Sequence, residues 1–249
     1  MYTKQDLTAQ LAEFEIDPKG ILLVHLSYKS IGDVEGRGDT VLDALMDYMR
    51  PGLLVLPAHT WENVGAHSPL MDVIHTPSCV GVLPELFRKR PGVFRSLHPT
   101  HSLAAAGAEA ETFLSGEEHI NTPCGKNGAY YRLWENNAQI LLIGVDFTSN
   151  TFIHGIEEWD NASGTISPDK TDLYVTNYQG VRLYTPQYRH CAPLGSTTFS
   201  KLEAPAAERG ILKTKRFGDA AAHLMHAVPL REMTAEFLRK DPEYLLKKL

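Results

Sequence analysis

The chain has 249 residues, of which 43% are hydrophobic and 22% charged, with a formal charge of -6. This is the composition of an ordinary globular protein and excludes the disordered and fibrous classes. The acidic balance argues against binding nucleic acid through its phosphates and is compatible with a cationic substrate.

The opening "MYTKQDLTAQLAEFEID" is charged and amphipathic and lacks a signal-peptide core. No apolar run approaches the roughly 20 residues of a membrane span, so a cytoplasmic protein with no membrane partner is expected. "GILLVHLSY" (20–28) is too continuously apolar for a one-sided strand and reads as a central strand buried on both faces. The loop "YKSIGDVEGRGDT" (28–40) follows, with Gly32, Gly36 and Gly38. Glycines before a helix let backbone amides approach a phosphate, but the spacing fits neither GxGxxG nor the P-loop, so a plain turn is an equal reading.

"GDTVLDALMDYMR" carries a helical stripe at Val41, Leu42, Leu45, Met46 and Met49, with Asp39 placed to cap the start and Pro51-Gly52 to stop the end. A second buried strand, "GLLVLPAHT", comes next, then a helix in "SCVGVLPELFRKRPG" closed by its own Pro-Gly. "HPTHS" (98–102) brings His98, Thr100, His101 and Ser102 together. Two histidines three apart can ligate a metal, line a ligand site or serve a loop; Pro99 and the lack of an HExxH pattern disfavour the metal.

"TPCGKNG" (122–128) contains Cys124, and a reactive thiol there would need more than Lys126 to lower its pKa, so a passive thiol is expected. The three cysteines, Cys79, Cys124 and Cys191, are odd in number and widely spaced, which points to free thiols. "AYYRLWENN" reads as a helix before a third buried strand, "AQILLIGV" (138–145).

"NTFIHGIEEW" (150–159) reads as a helix in which His154 shares a face with Glu157 and Glu158, three and four residues on. A catalytic base, a metal fragment and a surface contact all fit that spacing. "DLYVTNYQGVRLYT" reads as a hairpin turning near Gln179-Gly180, and "ILKTKRFGDAAAHLMHAV" as another turning at Gly218-Asp219. "PLREMTAEFLRKDPEYLLKKL" reads as a closing amphipathic helix. The pattern predicts one α/β domain over residues 1–249, a central buried sheet flanked by helices with a smaller β-rich part late in the chain. Three strands end in polar, histidine-bearing segments, where open α/β sheets gather ligands.

Taken in order, "ILLVHLSYKSIGDVEGRGDTVLDAL", "LPAHT", "PSCVGVLPELFRKRPGVFRSLHPTHSLAAAG", "TPCGKNGAYYRLWENNAQILLIGVDFTSNTFIHGIEE" and "GDAAAHLM" resemble the blocks of the aminoglycoside 3-N-acetyltransferase, or antibiotic N-acetyltransferase, family. The resemblance implies acetyl-coenzyme A dependent acetylation of a small-molecule amine, on a fold distinct from the GNAT acetyltransferases and with no metal. It implies that His154 is the catalytic histidine and Glu157 its partner, which selects Glu157 over Glu158. It implies further that Ser27, Lys29, Ser30, Val34, Gly36, Thr60, Ser96, His101 and Ser102 form the wall receiving coenzyme A.

Three departures stand out. His25-Leu26-Ser27 replaces the common "HSS", Gly36-Arg37-Gly38 replaces adjacent glycines, and the segment between His59 and Pro77 is short. The acceptor implied first is the 3-amino group of a 2-deoxystreptamine aminoglycoside, an antibiotic-resistance activity. The alternatives are a biosynthetic amine and a non-catalytic binding protein. A polycation would require several carboxylates, for which Glu62, Asp72, Glu157, Glu158 and Asp160 are the candidates.

Overall fold

A computed structural model describes residues 1–247 apart from Asn161, Ser163 and Pro193. Its strands are β1 (Ile21–Leu26), β2 (Leu53–Pro57), β3 (Leu70–Asp72), β4 (Val93–Arg95), β5 (Leu103–Ala106), β6 (Gln139–Ile143), β7 (Tyr174–Thr176), β8 (Arg182–Tyr184), β9 (Lys213–Phe217) and β10 (Ala220–His226). Its α-helices are α1 (Lys4–Glu13), α2 (Tyr28–Ile31), α3 (Arg37–Tyr48), α4 (Val82–Phe87), α5 (Ala110–Leu114), α6 (Ala129–Glu135), α7 (Phe152–Trp159), α8 (Glu203–Glu208) and α9 (Ala227–Lys240).

Seven strands form the main sheet in the order β4-β5-β2-β1-β6-β10-β9. β1 pairs in parallel with β2 on one side and β6 on the other, while β5 and β10 add antiparallel. The central strands are buried on both faces, as their unbroken apolar runs require. Leu23, Val55, Ile140 and Leu142 face a layer built from α6, α7 and α9. Leu22, Leu54, Leu56 and Leu141 face the opposite layer of α1, α3 and α4. The alternation follows from the period of two along a strand. Each fully buried leucine or isoleucine contributes about 1.5–3 kcal/mol of transfer free energy, so the sandwich fixes the strand ends firmly.

The late strands divide between two sheets. β9 and β10 turn at Gly218-Asp219 and complete the main sheet beside β6. β7 and β8 form the hairpin around Gly180 and pair with the early strand β3 in a sheet of three, over a small core of Val64, Met71, Val73, Leu173 and Val175. Two local expectations are corrected. α3 begins at Arg37 with Gly36, φ 70°, as its N-cap, so Asp39 lies in the first turn and binds Arg90 at 2.8 Å. α9 stops at Lys240 because Pro242 cannot continue it, and a short 3-10 turn (Tyr244–Leu246) follows.

The carboxyl ends of β1, β2 and β6 lie at one edge, and antiparallel β5 begins there, Leu103 opposite Pro57. His25, His59, the 98–102 loop and the start of α7 therefore converge. No helix among the described residues is long and apolar enough to cross a membrane.

Candidate active site

A cleft of about 580 Å³ opens at that edge. Its wall includes His25, His59, His101, His154 and His190, the apolar Pro57, Val80, Pro84 and Trp61, the hydroxyls of Thr148, Ser149 and Thr151, and Arg189. α7 supplies His154. Phe152, Ile153, Ile156 and Trp159 bury its apolar face in the core, and Gly155 gives the room that the Trp159 indole occupies, since a Cβ there would lie 2.6 Å from it.

His154 Nδ1 and Glu157 Oε2 are 2.7 Å apart. The Glu157 side chain is 2% exposed and that of His154 13%, so the carboxylate is sealed beneath a ring that reaches the cleft. Glu157 accepts the Nδ1 proton, which leaves Nε2 as the nitrogen uncommitted to the carboxylate. A hydrogen-bonded acid partner of this kind sets tautomer and ring plane together.

Glu158 turns the other way. Its Oε1 accepts from the Cys124 N–H at 2.8 Å and bonds His190 Nε2 at 2.9 Å. His190 stacks on His154, centroids 4.1 Å apart and planes 30° inclined, and Phe199 closes on His154 edge-on at 4.6 Å. Burial pushes Glu158 up to about 7 and holds His190 well below the usual imidazole range. The second pair therefore stays largely uncharged below neutrality, sharing one proton.

His190 and Arg189 come from a segment that runs antiparallel to residues 165–171, pinned by Ser167 N–H to Arg189 O at 2.8 Å, Thr171 N–H to Gln187 O at 2.7 Å and the Ile166–His190 bridge. Sequence reading missed both. No local spacing links position 190 to 154, and a histidine in a polar stretch carries no sign of where the fold takes it.

The "HPTHS" loop separates its two histidines. His98 is fully buried; its Nδ1 accepts the N–H groups of Thr100 and His101 at 3.2 and 2.9 Å, and its Nε2 donates to Thr122 O at 3.0 Å. That pattern requires the neutral ring, and burial lowers its pKa to about 4. His98 is thus a loop support, while His101 lines the cleft between the rings of His59 and His190.

The other residues expected to receive coenzyme A are spread differently. Ser96 accepts from Leu103 N–H at 3.0 Å, Ser102 donates to Ala58 O at 2.7 Å and Thr60 donates to Pro99 O at 2.5 Å; all three are buried and brace the cleft from behind. Ser27 and Ser30 bond each other at 3.0 Å at the end of β1, Lys29 and Gly36 are exposed and Val34 is buried. Ser30 lines a shallower groove with Gly144, Asp219 and His223, which meets the cleft at Val145 and Ser149.

Cys124 is buried, its thiol pKa is driven well above normal by burial and three nearby carboxylates, and its sulfur donates to Thr151 O at 3.8 Å. A thiolate nucleophile is disfavoured there. Among the described residues Cys124, Glu158 and His190 have potential metal-ligating atoms within 4.8 Å of one another. The Glu158–His190 hydrogen bond already occupies two of the three.

An open α/β sheet with an imidazole-rich cleft beyond its parallel strand ends, where β1 lies between parallel neighbours β2 and β6, is a small-molecule site of the α/β enzyme class. The sequence model described as aminoglycoside 3-N-acetyltransferase matches residues 23–239. Aminoglycoside N(3)-acetyltransferase IV of Salmonella sp is 32% identical over 245 residues, 97% of this chain and 89% of that one. Aminoglycoside acetyltransferase AAC(3)-IVa, solved as a histidine-to-alanine mutant in complex with a gentamicin, superposes with TM-score 0.87 at 25% identity, over 99% of this chain and 92% of that one. The binary complex of AAC-IIIb with CoASH shares the fold at TM-score 0.84 and 23% identity, over 96% and 97% of the two chains. The chain belongs to the aminoglycoside 3-N-acetyltransferase family and is an acyltransferase of that type.

Proposed function

We propose that this protein transfers the acetyl group of acetyl-coenzyme A to a primary amine, with His154 as general base and Glu157 as the carboxylate that orients it. The observation that carries the proposal is the 2.7 Å contact between His154 Nδ1 and a buried Glu157, in a ring that reaches the cleft. A thioester is already activated, so the protein has to bring the amine near it and take a proton. The amine nitrogen attacks the carbonyl carbon, His154 Nε2 removes the nitrogen's proton, the C–N bond forms and the C–S bond breaks, and coenzyme A leaves as thiolate. Glu157 supports the imidazolium that results. Base assistance of this kind contributes about 10²–10⁴-fold.

The groove past Ser30 and Gly144 joins the cleft at Val145 and Ser149, which gives an extended pantetheine arm a path toward His154. Lys29, exposed on α2, and the Gly36 amide at the start of α3 lie after the β1 end and suit phosphate charge.

The named relatives point first to the 3-amino group of a 2-deoxystreptamine aminoglycoside, with antibiotic resistance as the consequence. A second reading, the same transfer to a different amine, is favoured by one observation: among the described residues no aspartate or glutamate lines the cleft. The test of the transferase itself is thiol release from acetyl-coenzyme A coupled to the mass of the acetylated amine, without added metal. Failure to bind acetyl-coenzyme A at millimolar concentration would overturn it.

A further inference from the structure

His190 forms a second imidazole and carboxyl pair on the cleft that holds the first. Its ring lines the cleft, its Nε2 lies 2.9 Å from Glu158 Oε1, and its Nδ1 makes no hydrogen bond among the described residues. The Glu158 side chain is 5% exposed and that of His190 16%, so here too a sealed carboxyl stands beneath a ring that reaches the cavity. The nitrogens are used in the opposite order: His154 meets its carboxylate at Nδ1 and His190 meets its own at Nε2. The acyl-transfer step described above uses only the first pair.

The second pair can exist in two states that differ by one proton. An ionised Glu158 can only accept, so His190 then carries its proton on Nε2 and presents the Nδ1 lone pair. A neutral Glu158 can donate to Nε2, and the ring proton then sits on Nδ1. The imidazole is uncharged in both states, and the proton enters or leaves at Nδ1. Burial raises Glu158 to about 7 and keeps the ring neutral, so the pair is poised between the two states near neutrality. The titratable groups that face it are His154, stacked on the ring, His101, edge-on at 5.2 Å, and His98 and Cys124 beside Glu158, with Arg189 as the chain neighbour on the wall.

A primary amine near neutral pH is mostly an ammonium ion. The groove that joins the cleft at Val145 and Ser149 carries the exposed carboxylates of Asp146 and Asp219, which draw such a cation toward it. Two protons must leave that nitrogen before it becomes an amide nitrogen, one to free the lone pair and one as the C–N bond forms. We infer that His190 is a second catalytic base, which takes the first proton from the acceptor's ammonium at Nδ1 while its Nε2 proton passes to Glu158, and that His154 takes the second. The inference rests on the acetyl-transfer reading and adds the step that precedes attack. The N–H bond breaks with its electron pair left on nitrogen, and the free amine then attacks the thioester. Because the His190 ring ends that step neutral, it sets no cation against His154 as the latter becomes imidazolium. Once the product leaves, the proton held by Glu158 returns through Nε2, and Nδ1 releases one to solvent. Glu158 touches no reacting atom and acts through His190 as a positioning residue.

The test is the pH dependence of kcat/KM, from about pH 6.5 to about pH 10, for the full chain with acetyl-coenzyme A and whichever of kanamycin, gentamicin and 2-methoxyethylamine is acetylated fastest. Wild type is compared with His190→Gln, Glu158→Gln and His154→Ala. Without the second pair only acceptor that is already unprotonated can react, and for an amine whose pKa lies one to two units above the pH that fraction is about 10- to 100-fold smaller. His190→Gln and Glu158→Gln should therefore lose about 10- to 100-fold near pH 7 and converge to within about threefold of wild type above the pKa of the amine. His154→Ala should stay low throughout, because the second proton still lacks an acceptor. Glu158→Gln retains an oxygen for the Cys124 N–H and decides the matter should His190→Gln fold poorly; its acetyl-coenzyme A affinity, from calorimetric titration, should match wild type. A Glu158→Gln activity within about threefold of wild type at pH 7, or a loss of the same size at every pH, overturns the inference and leaves the His154 reading intact. Acetyl-coenzyme A binding with no amine acetylated overturns both.

Discussion

The imidazoles of His154 and His190 lie face to face, centroids 4.1 Å apart, and each is bonded at its far edge to a different glutamate of the same helical turn, Glu157 and Glu158. Two rings so close cannot both be protonated cheaply. Burial holds His190 in its neutral form, so it places no positive charge against the His154 ring.

His154→Ala should therefore lower kcat by about two to four orders of magnitude, the usual worth of a general base, with acetyl-coenzyme A affinity retained. Glu157→Gln should cost less, since it leaves the ring in place and removes the charge that supports the imidazolium. Steady-state kinetics beside calorimetric titration measure both. A kcat within about threefold of wild type for His154→Ala would reject the assignment, because a general base is worth far more than that.

Glu158 gives a sharper contrast between substitutions. With its pKa raised to about 7 by burial, it is largely a neutral acid at pH 6, so Glu158→Gln should change thermal stability little there. Glu158→Ala leaves the Cys124 N–H and the His190 ring without their partner and should cost about 1–3 kcal/mol. Melting curves of the two variants at pH 6 decide the matter, and equal losses would mean that the carboxyl acts by charge alone.

Direct transfer predicts a ternary complex and no acetyl-enzyme. Cys124→Ala should stay active, with the stability loss expected of removing a buried side chain, and the wild-type thiol should react with alkylating reagents only on unfolding. An acetylated Cys124 in the mass spectrum after incubation with acetyl-coenzyme A alone is the contrary result.

Stability should fall steeply on mild acidification. His25, His59, His98, His101 and His190 all have pKa values depressed by burial, to about 3 for His25 and about 4 for His98. The stability each contributes is complete above about pH 6.5 and is lost as pH falls toward the folded value, because the unfolded chain takes up the proton first. Glu117 and Glu158, both raised to about 7 by burial, act in the opposite sense between about pH 4.5 and 7, since the folded chain holds those protons. Five against two leaves a net uptake of protons on unfolding in that range, so stability falls as the pH is lowered. Melting temperatures in steps from pH 7 to pH 4.5 should drop accordingly; a flat profile would contradict the neutral-histidine assignments.

Much of this was present in local sequence. Unbroken apolar runs located β1, β2 and β6, because strands buried on both faces need apolar residues at every position. The spacing of His154 to Glu157 and Glu158 located one helical face, because residues three and four apart are neighbours on any α-helix. Family resemblance supplied the reaction. The resemblance had already implied Glu157 as the partner of His154; tertiary structure alone gave Glu158 to Cys124 and His190, each far from it along the chain and on opposite sides. It alone divided the late hairpins between two sheets and made His98 a support and His101 a wall. It also turned the candidate carboxylates away from the cleft wall and set Arg189 there. Periodicity and spacing report only on what neighbouring residues can do to each other. Partners brought together across long stretches of chain are selected by burial, which makes each polar group satisfy itself with whatever donor or acceptor the packed fold has placed within reach.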